Sequence, residues 1–588
     1  MSLKIEPRVV PTYNDADWPA SIPPVIRRIY AARGSVRPET VEHTLKKMLH
    51  WKELGGIVPA AKIIAQAIRE QWWITIAGDF DCDGATGTSV AYRGLKMMGA
   101  QNVKYIVPNR FKHGYGLSPG LVDDMDARTQ LIITVDSGVS NVDGVARAKE
   151  LGRMVVITDH HLPGDVLPDA DAIVNPNLRG DPFPSKALAG VGVMFYVLLA
   201  TRHIMRMDDD PQRGEPDLVD LLDLVALGTI ADLVPLDQNN RILVAAGLRR
   251  IRAGKISPGL KGLIERAGKN IAELTATDFA FAVGPRLNAA GRMDDMSIGI
   301  TALVSTDPDQ IIYYTDLLEE INNSRKERQQ EMIGEAEQLL AASGDSTAKG
   351  VVVYDPSWHS GIVGLVSSKL KESLHRLVIA LAPAEAGSTE LRGSCRSIPG
   401  FHLRDALALV DARNPGLMKK FGGHAMAAGL SMHIDGVEQF SKAFAEVAEE
   451  MLTDDLLNAV IHTDGELPEG CLTTAFVDML DSYGPWGQGF PLPIFENVFD
   501  IDGEFCRVLN NKATQQPAHL KLALIDPRDG SYIEAIQFNS EFLENIPHKA
   551  KIVFEMSINS FRGERKPQLM VRHIHPLTGH SNEMVQVT

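Results

Sequence analysis

Four short runs rich in apolar and β-branched residues recur in the first third of the chain: residues 73–77, 103–107, 131–135 and 154–158. Each is followed by a loop and a helix-compatible segment, and the two purest, Leu131-Ile132-Ile133-Thr134-Val135 and Met154-Val155-Val156-Ile157-Thr158, lack polar alternation. Strands of this kind are buried on both faces, which predicts a parallel sheet covered by helices rather than a half-solvated antiparallel one. Ligands of open parallel sheets bind beyond the carboxyl ends of the strands. Those ends are where this sequence concentrates acids and histidines.

At about 100–200 residues per domain, 588 residues leave room for further units. We expect a Pro-rich lead over 1–40 and a catalytic α/β domain over 41–309, opening on helical spacing across 41–71. A connecting helix follows over 310–340, with a solvated polar centre at 322–331. A smaller α/β domain occupies 341–452, with strands near 351–354 and 377–381 and a helix over 362–374. The last part, 453–588, changes to alternating strands near 495–501, 520–525, 532–538, 552–558 and 569–574, the pattern of a small barrel of the OB type. Cys82, Cys395, Cys471 and Cys506 are far apart, which argues against a disulfide framework or a structural zinc site and for a reducing cytoplasm. The apolar stretch 191–200 is too short to span a bilayer, so a soluble protein without membrane contact is expected. A net charge of −16 repels nucleic acid from the molecule as a whole, so any phosphate must be held by local cations or metal.

The densest chemical signal is Gly78-Asp79-Phe80-Asp81-Cys82-Asp83-Gly84. Three carboxylates this close repel one another unless a cation shares them, and hard oxygen donors suit Mg²⁺ or Mn²⁺. An acidic turn is the plain alternative; a calcium loop of EF-hand type is disfavoured, since a strand precedes it and the twelfth position is Val90. Asp136 ends the third strand, where it would bridge two ions or merely cap a helix. Asp159, His160 and His161 follow the fourth strand, and Asp232 adds a carboxylate that alone would read as a surface residue. Together they supply oxygen and nitrogen ligands for two octahedral ions clamping a phosphoryl group.

The Asp159-His160-His161 run resembles the signature of the DHH phosphoesterase superfamily. Gly393-Ser394-Cys395-Arg396-Ser397, Gly422-Gly423-His424 and Ala427-Ala428-Gly429 look like the associated second domain, of DHHA1 type. The order of parts, with residues 285–292 and the barrel's His519-Leu520-Lys521-Leu522, is similar to the bacterial branch that degrades single-stranded DNA from 5′ to 3′. The resemblance implies a parallel-sheet DHH domain joined by a long helix to a smaller α/β domain and an OB-type β-barrel. It implies two ions, Mn²⁺ or Mg²⁺, with Asp79 and Asp81 on the first, Asp83, His160 and Asp232 on the second, and Asp136 bridging. Asp159 would orient a ligand imidazole, and His161 would contact the scissile phosphate or protonate the leaving oxygen. Ser394, Arg396, Gly422, Gly423 and His424 would cradle a terminal phosphate, Arg286 and Arg292 would grip the next phosphates from a Gly-rich loop, and Arg110 and His113 would line the entry. Lys521, Arg562 and Arg565 would guide single-stranded DNA along the barrel. Cys82 stands where relatives often carry Ala, which predicts sensitivity to oxidation. The likeness further implies a monomer in DNA recombination and repair, supplied by single-strand-binding protein. Rival readings are a cyclic-dinucleotide or short-oligoribonucleotide phosphodiesterase, a pyrophosphatase and a noncatalytic nucleic-acid-binding scaffold.

Overall fold

The apolar runs fold as β1 (Ile74–Ala77), β2 (Val103–Ile106), β3 (Leu131–Val135) and β4 (Met154–Thr158) in a computed structural model that describes residues 3–109, 112–206, 216–343, 348–511, 516–543, 545–561, 563–577 and 584–586. A fifth strand, β5 (Ala172–Val174), is too short for periodicity to reveal. All five pair in parallel in the order β2-β1-β3-β4-β5. Their register aligns Ala77 with Thr134, Val135 with Thr158 and Thr158 with Val174, so the loops after β1, β3, β4 and β5 leave one edge together.

Helix α1 (Cys82–Met97) starts directly after β1, its first turn capped by Asp81, whose Oδ1 accepts from the Gly84 N–H at 3.0 Å. It packs against α2 (Gly190–Arg206) and α3 (Leu222–Ala231). Both are apolar nearly all round and correspondingly buried, as core helices must be. The helical spacing of 41–71 yields an α-helix only over Ile57–Arg69; Leu45–Lys47 and Trp51–Glu53 are single 3₁₀ turns. Residues of the Pro-rich lead pack within the larger part of the fold: Tyr30 lies edge-on against Phe490, and Arg33 holds the buried Asp464.

The chain divides into two compact units. The larger comprises 6–285, 299–315 and 462–588; the smaller comprises 1–5, 286–298 and 316–461. Helix α4 (Gly284–Met293) and the long α5 (Pro308–Ser343) contribute residues to both. The centre of α5 is largely exposed as expected, except Asn322, which is fully buried and accepts from Arg325 at 2.6 Å.

In the smaller unit, β6 (Gly350–Tyr354), α6 (Val363–Leu374) and β7 (Leu377–Pro383) lie close to the expected positions. Three strands unforeseen in sequence, β8 (Glu390–Arg396), β9 (Met418–Gly423) and β10 (Ala427–His433), complete a sheet ordered β9-β10-β8-β7-β6. One face packs Ile379 and Leu381 against Phe440 and Phe444; the other packs Val378 and Ala380 against Val366 of α6 and Met332 of α5.

The barrel belongs to the larger unit. Its strands are β11 (Phe495–Ile501), β12 (Arg507–Asn510), β13 (Pro517–Ile525), β14 (Tyr532–Gln537), β15 (Lys549–Phe561) and β16 (Glu564–Pro576). They run in the order β11-β15-β16-β14-β13-β12, and pairing of β11 with β13 closes the circuit. The five expected strands are all present, with short β12 added.

Candidate metal centre

The edge where the four loops emerge gathers Asp79, Asp81, Asp83, Asp136, His160, His161 and Asp232. Ligand atoms of Asp79, Asp81 and Asp136 lie within 4.8 Å of one another, as do those of Asp83, His160 and Asp232, and those of Asp136, His160 and His161. Asp232 arrives from the end of α3, brought there by helix packing rather than by sheet order. Asp83 sits in the first turn of α1, where both its oxygens are engaged: Oδ2 accepts from the Gly190 N–H at 2.6 Å and Oδ1 from the Val191 N–H at 2.9 Å. The start of α2 is thus pinned to the centre.

Asp159 accepts from the backbone N–H groups of Val139 (2.9 Å), His160 (2.7 Å) and His161 (3.0 Å), and from His161 Nδ1 at 2.8 Å. The imidazole it orients is therefore that of His161. His161 is half exposed, its side chain at the lip of the centre.

Burial first, and then the neighbouring charge of Asp81, push the Asp83 carboxyl up to about 7 against its two backbone donors. Burial and neighbouring carboxylates raise Asp136 and Asp232 well above the ordinary range. Burial and then His161 push His160 down to about 4, so its ring is neutral near pH 7. Burial also opposes protonation of His161, but the hydrogen bond and charge of Asp159 outweigh it and the pKa rises. Crowding of like charge is relieved by a cation, and the spacing of the ligand atoms fits one. His160 Nε2 lies 3.0 Å from Asp136 Oδ1 and 3.5 Å from Asp232 Oδ2, yet among the described residues none of these three buried atoms makes a hydrogen bond of acceptable geometry. A buried imidazole nitrogen and two carboxylate oxygens left in this way meet the demands of a hard divalent ion.

Sequence reasoning missed three contributors. Tyr115 donates to the Asp136 carbonyl at 3.3 Å and packs edge-on against His161. Asn175 and Asn177, just beyond β5, donate to the carbonyls of His161 (2.8 Å) and His160 (2.5 Å). The Asn-Pro-Asn turn after an apolar triplet was the available signal.

Several other expected contacts are engaged internally. His113 is fastened to Asp124 at 3.0 Å and accepts from the Asn109 N–H, a loop-bracing role. Residues 285–292 form part of helix α4, not a Gly-rich loop; Arg286 is paired with Glu319, and Arg292 donates to the Gly361 carbonyl at 3.5 Å. In the barrel, Lys521 meets Glu534 at 2.7 Å and Arg565 meets Asp478 at 2.7 Å. Arg110 and Arg562 lie outside the described residues. Burial and the adjacent carboxylates raise the Cys82 thiol pKa, which opposes the expected sensitivity to oxidation.

The smaller unit brings Ser394, Gly422 and Gly429 into one row, since Ser394 pairs with Gly429 and Gly429 with Gly422. Arg396 pairs with Ala427 beside the 423–427 turn, where Gly423 has φ +138° and the His424 N–H donates to the Ala427 carbonyl. The Arg396 guanidinium donates to Ser368 Oγ, Ser394 Oγ and the Cys395 carbonyl, each at 2.9 Å, and forms no ion pair among the described residues.

Crowded carboxylates beside imidazoles at the carboxyl edge of a parallel sheet define a divalent-metal phosphoesterase, and residues 73–229 match the DHH family, N-terminal domain. Residues 347–450 match the DHHA1 domain and 463–573 the RecJ OB domain. The chain belongs to the RecJ family. It is 46% identical over 96% of its length to the single-stranded-DNA-specific exonuclease RecJ of Salmonella typhimurium, covering 97% of that protein. The Escherichia coli protein of the same name gives the same identity and coverage. The crystal structure of RecJ in complex with Mn²⁺ from Thermus thermophilus superposes with a TM-score of 0.79 at 27% identity, over 98% of this chain and 80% of that one. The Mg²⁺ complex of that protein gives a TM-score of 0.74 at 26% identity, over 98% and 79%.

Proposed function

We propose that this chain hydrolyses single-stranded DNA from its 5′ end, releasing mononucleotides, with two Mn²⁺ or Mg²⁺ ions. Asp79 and Asp81 would hold one ion, Asp83, His160 and Asp232 the other, with Asp136 shared. The observation that carries the reading is the convergence of His160 Nε2, Asp136 Oδ1 and Asp232 Oδ2 without hydrogen bonds among the described residues. When bound, the ions supply an activated water and neutralise charge on the phosphoryl oxygens.

The chain's own residues do the rest. Asp159 keeps the His161 ring oriented and raises its pKa, so the half-exposed ring is placed to contact the phosphate and to donate a proton to the leaving oxygen. Asn175 and Asn177 hold the backbone of both histidines. Arg396, surrounded by neutral partners, is the phosphate anchor that sets polarity, with Ser394 and the Gly422-Gly423-His424 turn beside it. Arg286, Arg565, Lys521 and His113 are committed to carboxylates, so any contact of theirs with phosphate requires exchange of partners. The family likeness supports action in DNA recombination and repair as a cytoplasmic monomer supplied by single-strand-binding protein. No helix among the described residues is long and apolar enough to cross a membrane.

The test is nucleotide release in Mn²⁺ or Mg²⁺ from single strands labelled at either end, beside blunt duplex, RNA and a cyclic dinucleotide, with Asp136→Ala as control. Mononucleotides released from the 5′ end of single-stranded DNA, and absent with the variant, are expected. Turnover of the cyclic dinucleotide alone would overturn the proposal.

A further inference from the structure

Helix α3 ends on the carboxylate Asp232, and the next residue, Leu233, has φ +60°. The position just past a helix end commonly takes this left-handed conformation, and glycine or asparagine is the usual occupant because a Cβ is crowded there. Leu233 accepts the crowding without burying its side chain, which is 65% exposed. A strained, exposed leucine beside a carboxylate of the centre does nothing for the core.

A second departure lies against the same helix. Residues Phe279–Val283 form a π-turn, a rare wide turn that is frequent at functional sites. It leads into α4, where a Cβ on Gly284 would lie 3.2 Å from the Ala231 Cβ at the end of α3. Within the turn Phe279, Ala282 and Val283 are buried, whereas Phe281 is 81% exposed. Two large apolar side chains are thus presented to solvent by the two elements that meet where Asp232 joins the centre.

We propose that Leu233 and Phe281 form an apolar shelf that receives unstacked nucleobases of the strand whose phosphate occupies the metal centre. The inference rests on the single-stranded-DNA reading above. Every base has an apolar face, so such a shelf is indifferent to sequence. The bases of a duplex are paired and stacked and cannot offer that face, so the shelf favours single strands at the level of the base.

The experiment compares wild type, Leu233→Gly and Phe281→Ser on a 5′-phosphorylated single strand and on the same strand with abasic sites at its first four nucleotides. On the natural strand each variant raises KM about tenfold and keeps kcat within about twofold. The wild type shows a similar rise on the abasic strand, and the variants show no further rise there. Leu233→Gly melts at the wild-type temperature or above, because glycine relieves the left-handed backbone. An unchanged KM on the natural strand, or variant and abasic effects that simply multiply, overturns the shelf. Failure of the wild type to release nucleotides from any single strand instead removes the underlying reading, and the shelf with it.

Discussion

Gly190→Ala tests the centre through a residue that carries no functional group. Gly190 is the first residue of α2, and its N–H makes the 2.6 Å bond to Asp83. A Cβ there would lie 2.5 Å from the Asp136 Cβ, 2.6 Å from its Oδ1 and 2.8 Å from its Cα. Carbon atoms in contact sit about 3.5–4 Å apart, so the overlap is roughly 1 Å. Asp136 has little freedom to yield: its N–H donates to the Thr158 carbonyl at 3.0 Å, its own carbonyl accepts from Tyr115, and its φ is +61°. Either α2 moves outward and draws on both hydrogen bonds to Asp83, or Asp136 moves, so one carboxylate is displaced by about 1 Å. A misplacement of that size costs on the order of 100-fold in rate. Overpacking destabilises by about 1–3 kcal/mol, partly offset by alanine's better helix propensity. The assay combines nucleotide release at saturating Mn²⁺, Mn²⁺ affinity by calorimetry, and thermal unfolding, with Gly334→Ala as control because nothing lies within 4 Å of a Cβ there. Turnover within about threefold of wild type, with unaltered Mn²⁺ affinity, would refute the reasoning.

Three further outcomes follow from particular contacts. Arg396→Gln abolishes preference for a 5′-phosphate over a 5′-hydroxyl, a loss of roughly 10- to 100-fold if a charged hydrogen bond of about 1.5–3 kcal/mol is removed; competition between the two strands measures it. Asp159→Asn removes the charge that raises the His161 pKa, so the alkaline limb of the pH–rate profile moves to lower pH, and a limb that stays in place removes His161 as proton donor. His43 is buried and accepts from Arg241 Nε at 3.4 Å, and burial, with Arg241 and Arg249, pushes its pKa down to about 3. Folding therefore keeps it neutral: its contribution is complete above the unfolded value near 6.5 and is lost as pH falls toward 3, at up to about 1.4 kcal/mol per unit. Thermal unfolding from pH 7 to 4 should show a shallower decline for His43→Gln, and parallel declines would rule His43 out.

The four long strands of the catalytic sheet and the five main strands of the barrel were legible because a run of apolar residues records burial locally. Strand-end acids were legible for a related reason: a parallel sheet presents its carboxyl edge to ligands whatever the loops do. Strand β5 has three residues, too few for any period, and with it went Asn175 and Asn177. Tyr115 was invisible as a participant because its contact with His161 spans 46 positions. The partners of the arginines were hidden for the same reason. Arg565 reads as a free cation in its hairpin, but its partner Asp478 lies 87 positions away.

Residue order alone determined which segments are strands, that three carboxylates crowd one turn, and that two imidazoles follow a buried strand, since each depends on neighbours within a few positions. Tertiary structure decided which of those groups share a centre, which ring Asp159 holds, and which cations are already neutralised. Hydrogen bonds and charge act through space at about 3–4 Å, and chain separation carries no information about that distance until the helices and sheet have packed.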